Sequence, residues 1–362
     1  MVKNILISKF KKAVLITAFF LFTNASLYAD ISFAGYIYSD NLKLNTFDND
    51  VEIINYKESN NAIGNYDLDL NYHYDKYYTV GINKQKNITI FMNDGFIKTW
   101  NFVNQNFDKL LNSQQIADSI GNIDIKGHYS LVDSYKIYIE KNIYHKNHIF
   151  KIKLNTIKAK DFQSLQIVGQ NKNKHFLLDI DYFYSSKNII TKDKAHKNNY
   201  SGSGYSIDLN YKYNYKKFTA NISLKDLFGA IYWNNITHMK YVFDSNTRYL
   251  GDDGYYHLRG FGQGKYYYNT IYKQKLQIKY DIFLNYKLNN SFLLNNNIIG
   301  IEDTYFNHSF ITYSKNNFNF SLGKILTTNT KTYGFRYKLF NATYSNTSTN
   351  TKSILLSLKI KF

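Results

Sequence analysis

Ile354-Leu355-Leu356-Ser357-Leu358-Lys359-Ile360-Lys361-Phe362 closes the sequence. Ile354, Leu356, Leu358, Ile360 and Phe362 fall on every second position, with Ser357, Lys359 and Lys361 between them. Side chains two apart on a strand share a face, so this segment predicts a strand with one apolar and one polar side. No residue follows to cover the apolar side, and the expected cover is lipid.

The same alternation recurs upstream. Tyr66, Leu68, Leu70, Tyr72 and Tyr74 alternate with Asp67, Asp69, Asn71 and His73, which leaves one face wholly apolar or aromatic. Further runs include Ile123 to Leu131, Tyr135 to Ile139, Phe150 to Leu154 and Phe176 to Tyr184. The second half adds Tyr205 to Tyr213, Phe218 to Leu224, Leu276 to Tyr286, Tyr305 to Tyr313, Phe318 to Leu322 and Tyr333 to Tyr337. Short polar pairs such as Asp75-Lys76, Asn289-Asn290 and Asn316-Asn317 separate runs as hairpin turns do. The pattern predicts an all-β fold, a transmembrane antiparallel up-and-down β-barrel of about 14–16 strands. Two longer connections, Ser185 to Gly202 and Ser245 to Asn269, fall on opposite sides in this count, whereas long loops of such barrels share the outer side. One strand is therefore miscounted, most simply near Ile231 to Phe243, where Asn234-Asn235 would turn one strand into two.

The ending resembles the C-terminal strand of Gram-negative outer-membrane β-barrels, in which a terminal Phe after alternating apolar residues is read by the insertion machinery. That resemblance makes Ile354, Leu356, Leu358, Ile360 and Phe362 the barrel-insertion signal. A second resemblance lies in residues 201–235. Ser201-Gly202-Ser203-Gly204-Tyr205-Ser206-Ile207-Asp208-Leu209, followed by Asp226-Leu227-Phe228 and Trp233, is similar to a pattern in the barrel family that includes FadL, the PorV-type proteins and the TraF-like conjugation-associated proteins. It implies a barrel of roughly 14 strands and, in the FadL branch, uptake of apolar molecules through a plugged lumen. The prolines of that branch's N-terminal hatch have no counterpart here, since the chain contains none.

Lys3, Lys9, Lys11 and Lys12 precede the apolar run Ala13 to Phe22, and Ala29 ends a short polar stretch. This reads as a secretory signal peptide over residues 1–29, cleaved before Asp30, with a barrel domain over 30–362 and the outer membrane as destination. The apolar run is about ten residues, too short to cross a bilayer as a helix, and no later run approaches the roughly 18 that a spanning helix needs. A membrane-spanning chain of this kind has only the barrel open to it. Cysteine is absent, which excludes disulfides and a lipidated N-terminal Cys.

Composition agrees. The mean hydropathy is negative although 44% of residues are hydrophobic, as expected where only alternate residues face lipid. The 36 Tyr and 27 Phe suit strands and interfacial girdles. Average usage would supply about 18 prolines, and long strands paired on both sides tolerate none. One stretch departs from the β pattern. Between Asp94 and Gly121, the residues Trp100, Val103, Phe107, Leu110 and Leu111 recur at helical spacing, with Asn93 or Asp94 as N-cap and Gly121 as terminator. This predicts a loop helix of about five turns near 95–120, either on the rim or inside the lumen as a plug.

No catalytic or metal-binding constellation is read from the sequence. His145 and His148 stand three apart, so on a strand their rings point to opposite faces. His308 and Ser309 are adjacent and diverge in the same way. Asp252, Asp253 and His257 read as a solvated extracellular loop. No enzyme activity and no cofactor is expected. The formal charge of +18 falls to +14 without the four signal lysines, and Lys151, Lys153, Lys359 and Lys361 alternate with apolar residues toward the lumen or the interfaces. A lysine-lined pore favours anions, although Asp67, Asp69, Asp208 and Asp281 share the polar faces. The segment Gly251 to Tyr268 places both signs on one loop. Folded inward, Asp252, Asp253, Arg259 and Lys265 would form a pore constriction; projecting outward, they would contact neighbouring cells or phage.

The first functional expectation is a porin-like channel for passive diffusion of small solutes. The alternatives are a non-conducting surface or assembly barrel, adhesin-like or associated with secretion or conjugation, and a FadL-like transporter of apolar compounds. Expected partners are outer-membrane lipid and lipopolysaccharide, the insertion machinery, small solutes and a homo-oligomeric copy, with no nucleic acid.

Overall fold

The computed structural model describes residues 28–40, 42–45, 50–53, 60–105, 118–185, 200–250, 252–301, 304–327, 329–338, 340–346 and 352–361. The strands are β1 (Tyr28–Asp40), β2 (Leu42–Asn45), β3 (Asp50–Ile53), β4 (Asn60–His73), β5 (Tyr78–Met92), β6 (Ile123–His145), β7 (His148–Lys172), β8 (His175–Tyr184) and β9 (Ser201–Tyr215). They continue as β10 (Phe218–Leu250), β11 (Tyr256–Lys275), β12 (Lys279–Lys287), β13 (Phe292–Ile301), β14 (Thr304–Lys315), β15 (Phe318–Ile325), β16 (Thr330–Tyr337), β17 (Phe340–Asn346) and β18 (Lys352–Lys361). A helix, α1 (Asp94–Gln105), follows β5.

All strands but the small β2–β3 hairpin form one antiparallel sheet, and β18 pairs with β1 from Asp30 opposite Lys361 to Ser39 opposite Lys352. Closure removes the unpaired edges that a lone sheet would expose. The alternating runs thus build the barrel they predict. The circuit has 14 positions because two of them are each filled by two collinear strands. Between β7 and β10, β8 occupies one stretch, with Tyr184 opposite Gln163, and β9 resumes with Gly202 opposite Ala159. The wall strand is therefore interrupted between Tyr184 and Ser201. β11 and β12 likewise share the flank of β10, ending and resuming at Lys275 opposite Ala230 and Lys279 opposite Lys225.

This arrangement corrects the expected strand map. Asn234-Asn235 makes no hairpin: β10 runs through it, with Asn235 in the left-handed region at φ 58° and the register with β11 shifting there. Ser245 to Asn269 is mostly strand, since β10 and β11 pair out to Leu250 opposite Tyr256. The two long connections conflicted only because neither is a simple loop between neighbouring strands.

One end of the barrel, the turn end, carries the tight connections β4–β5, β6–β7, β9–β10, β12–β13, β14–β15 and β16–β17. Asp75 shapes the first by accepting from the Tyr77 and Tyr78 amides at 2.7 and 2.6 Å. Toward the other, loop end, strands β6, β7, β8, β10 and β11 extend further. A bulge between Asp133 and Ser134, opposite Asp161 and Ala159, marks where this extension begins. Below it the outward faces are exposed and apolar: Leu68, Leu70, Ile82, Ile137, Ile139, Ile152, Leu154, Ile311, Phe320, Leu322, Ile354, Leu356, Leu358 and Ile360. Above it the same face is buried, as Ile88, Ile90, Tyr129, Leu131, Leu165, Tyr182 and Met239 pack into one cluster. Burial there pushes the Tyr129 hydroxyl above its ordinary pKa, with the Asp161 charge adding to the shift.

Helix α1 belongs to this extension. The Phe96 amide donates to Asn93 Oδ1 at 2.9 Å, which makes Asn93 the N-cap of the two residues expected. Phe96 rests on Gly127 of β6, where an added Cβ would lie 3.1 Å from the ring. The helix is described from Asp94 to Gln105 and again, as helical residues, at 118–120; the rest of the expected span, residues 106–117, lies outside the described residues. Gly121 takes a left-handed φ of 69° ahead of β6, as a chain-reversing glycine does.

Candidate functional site: a closed lumen

The lumen is crossed by ion pairs. Lys225 Nζ on β10 reaches Asp67 Oδ2 on β4 at 2.9 Å, joining walls that lie several strands apart around the circuit. Asp226, the next residue, binds Lys136 of β6 through one carboxylate oxygen and Lys279 of β12 through the other, the second at 2.9 Å. Its own amide donates to Asp208 Oδ1 at 2.8 Å. Consecutive strand residues normally diverge. Here β10 shifts register twice between Leu224 and Ala230, and Asp226 and Phe228 take φ of 63° and 51°, so both Lys225 and Asp226 point inward. Asp208 and Asp226, 18 residues apart in the sequence, are thus in direct contact. Asp226 and Lys136 are buried, which is tolerable because each charge meets an opposite one within hydrogen-bond reach.

Other lumen lysines are also paired. Lys151 lies 3.1 Å from Glu140, Lys153 lies 3.8 Å from Asp69, and the Lys153 ammonium stands 3.8 Å from the centre of the Tyr138 ring. At the turn end, Asp30 gathers Asn71 at 2.6 Å, His73 at 3.0 Å and Lys359 at 2.8 Å. The lysines thus line the lumen as the alternation predicts, but with carboxylate partners rather than as a free cationic ring.

Toward the loop end the lumen turns apolar. Ile63 of β4, Ile301 of β13, Phe306 of β14 and Ile325 of β15 pack together with Leu355 of β18, across the lumen from wall to wall. Beside them Val132, Ile157, Phe162, Ile231, Trp233 and Ile236 form a second layer at the level of the interrupted β8/β9 strand. Phe162 stacks on Trp233 with ring centres 4.9 Å apart and on Tyr272 at 5.5 Å. The Trp233 indole donates to Gln274 Oε1 at 2.9 Å. Gly202 admits this ring, since an added Cβ would lie 2.7 Å from it.

Beneath the apolar layers lies a chamber of about 480 Å³. Asp67, Lys225 and Lys279 form one wall, and Asn297, His308 and Arg336 lie elsewhere on its lining. Asn65 Oδ1, Asp281 Oδ1, Asn297 Oδ1 and His308 Nε2 are buried at its walls without a hydrogen-bond partner. The residues expected to form a constriction lie elsewhere. Asp252 and Asp253 occupy the turn between β10 and β11, Arg259 stands opposite Thr247, and Lys265 stands opposite Lys240, all on the extension. Ile354, Leu356, Leu358 and Ile360 face outward on β18, and Phe362 lies outside the described residues. The ion network escaped sequence reading because lysines at alternate positions carry no mark of which distant carboxylate they meet; the charge at Asp226 stood out only through the family pattern.

Outside, lysines sit over tyrosine rings at both borders of the apolar belt. At the turn end these are Lys76 over Tyr77 at 4.8 Å, Lys141 over Tyr78 at 5.8 Å, Lys216 over Tyr215 at 5.1 Å and Lys338 over Tyr337 at 5.4 Å. At the opposite border they are Lys84 over Tyr135 and Lys273 over Tyr232, both at 5.6 Å.

No protein-family model matches the sequence, and no curated protein matches it. Among solved structures the chain is similar to the TodX deltaS2S3 mutant monoaromatic hydrocarbon channel, at 8% identity over 94% of this chain and 91% of that one, with a TM-score of 0.42. It is similar also to the P. putida toluene transporter TodX, at 9% identity over 93% and 89% with a TM-score of 0.38. A third likeness is to the translocator domain of the autotransporter NalP from Neisseria meningitidis, at 5% identity over 99% and 96% with a TM-score of 0.29. At these scores the likenesses decide nothing about substrate, and the closed antiparallel barrel rests on the chain's own strand pairing.

Proposed function

We propose that this chain is an outer-membrane barrel that takes up small apolar molecules through a lumen closed at rest, the FadL-like alternative among the expectations, rather than an open porin. Lipid covers the exposed apolar belt, and the lysine–tyrosine girdles sit at its two interfaces, where amphipathic rings and snorkelling lysines are favoured. The short turns face the periplasm and the extension faces outward. The C-terminal segment Ile354 to Phe362 serves as the insertion signal.

The observation that carries this reading is the pair of apolar layers inside the lumen. A hydrophobic constriction excludes water and hydrated ions by dewetting, whereas an apolar solute loses nothing on entering it. Behind these layers lies the chamber, whose lining mixes apolar side chains with the charged wall of Asp67, Lys225 and Lys279. The expected result is a membrane without defined single-channel steps when the folded protein is placed in planar bilayers, together with faster entry of a small apolar dye into proteoliposomes than into empty vesicles. Stable ohmic steps without dye uptake would restore the porin reading.

A further inference from the structure

The lysines of the loop-end border differ from those of the lumen in making no ion pair among the described residues, although Asp133 lies near enough to act on the Lys84 charge. Residues paired across consecutive strands run Lys84 (β5), Tyr135 (β6), Lys158 (β7), Ser203 (β9), Tyr232 (β10) and Lys273 (β11). This row lies on the outward face, just above the apolar belt that holds Ile82, Ile137 and Leu154. Tyr135, Lys158, Ser203, Tyr232 and Lys273 are exposed and Lys84 is half-buried. Lys136, Lys153, Lys225 and Lys279 in the lumen each stand within ion-pair distance of a carboxylate. None of Lys84, Lys158 and Lys273 makes an ion pair among the described residues.

The geometry points to a docking row for a lipid headgroup that carries more than one phosphate on a sugar framework. This inference rests on the membrane placement proposed above. Neighbouring strands lie about 4.8 Å apart, which sets Lys84 and Lys158 about 10 Å apart and Lys158 and Lys273 about 14 Å apart at the backbone. Three cations at such intervals match separate phosphates of one broad headgroup better than the single phosphate of a glycerophospholipid. Strand positions fix the row in the wall, while Ser203 and the two tyrosine hydroxyls supply hydrogen-bond donors between the charges. The tyrosine rings offer flat apolar faces to the sugar. Acyl chains of the same lipid would then lie against Ile82, Ile137 and Leu154 directly below.

The test uses the full barrel refolded into phosphatidylcholine vesicles, with heat-modifiable migration on a gel reporting insertion, and detergent extraction reporting retention of a bisphosphorylated diglucosamine lipid. Wild type should retain that lipid and release it as salt rises, and the combined K84Q, K158Q and K273Q variant should insert normally but bind at least tenfold more weakly. A matched variant at the other border, K76Q with K216Q and K338Q, should bind as wild type does. Equal retention of the dephosphorylated lipid or of phosphatidylglycerol would overturn the proposal, as would an unaffected triple variant or complete displacement by millimolar inorganic phosphate. Failure of wild type to insert at all would instead overturn the membrane reading.

Discussion

Replacing Asp226 by Ala would leave two ammonium groups, Lys136 and Lys279, buried without the carboxylate that binds both. Removing one partner of a buried pair costs about 3–5 kcal/mol, because the remaining charge stays in a poorly solvating site. Asp226→Ala should therefore lower the unfolding free energy by about that amount in urea titrations of the refolded barrel. Asp226→Leu combined with Lys136→Met and Lys279→Met should recover most of the loss, since no charge is then stranded. A single-variant loss below about 1 kcal/mol, the range of an exposed pair, would mean that water reaches the network. The sequence shows Asp226 in a recognisable pattern and places Lys136 on a polar face. It does not show that they meet across 90 residues of chain, because alternation assigns a face to a side chain and not a neighbour across the lumen.

At the scale of elements, alternation located most strands well and the joins between them poorly. Phe176 to Tyr184 and Tyr205 to Tyr213 were each legible as strands, yet nothing in a period of two says that they continue one line between β7 and β10. The signal for the break is local and easily overlooked: Gly202 and Gly204 stand where Trp233 and the Ala230 carbonyl come too close for a side chain. Gly202→Leu should push the Trp233 ring out of its contact with Phe162. In a Trp100→Phe background, which leaves Trp233 as the single tryptophan, its emission should move to longer wavelength and the folded gel band should be lost at lower temperature. Unchanged emission would place the ring elsewhere than against this strand. The helix was legible for the opposite reason, since its cap at Asn93 acts within a few residues.

The whole molecule divides into three levels along its axis: a chamber walled on one side by ion pairs, an apolar closure and an extension whose outward face is buried instead of exposed. Ion pairs and apolar layers close the lumen by different means, and they respond differently to change. Disrupting the ion network strands charge and weakens the fold, whereas making the apolar closure polar removes the barrier to water. Ile301→Ser with Ile325→Ser should therefore convert a silent barrel into one with measurable single-channel steps, at a stability cost of about 2–5 kcal/mol per truncated side chain or less. The same pair of changes should leave apolar dye entry equal or slower, because the solute loses its apolar path. Steps of equal size in wild type and variant would show that the current passes elsewhere, and the closure at Ile63, Ile301, Phe306 and Ile325 would then not be the gate. Because conductance rises while dye entry does not, a general loosening of the barrel, which would raise both, is told apart from the opening of this one layer.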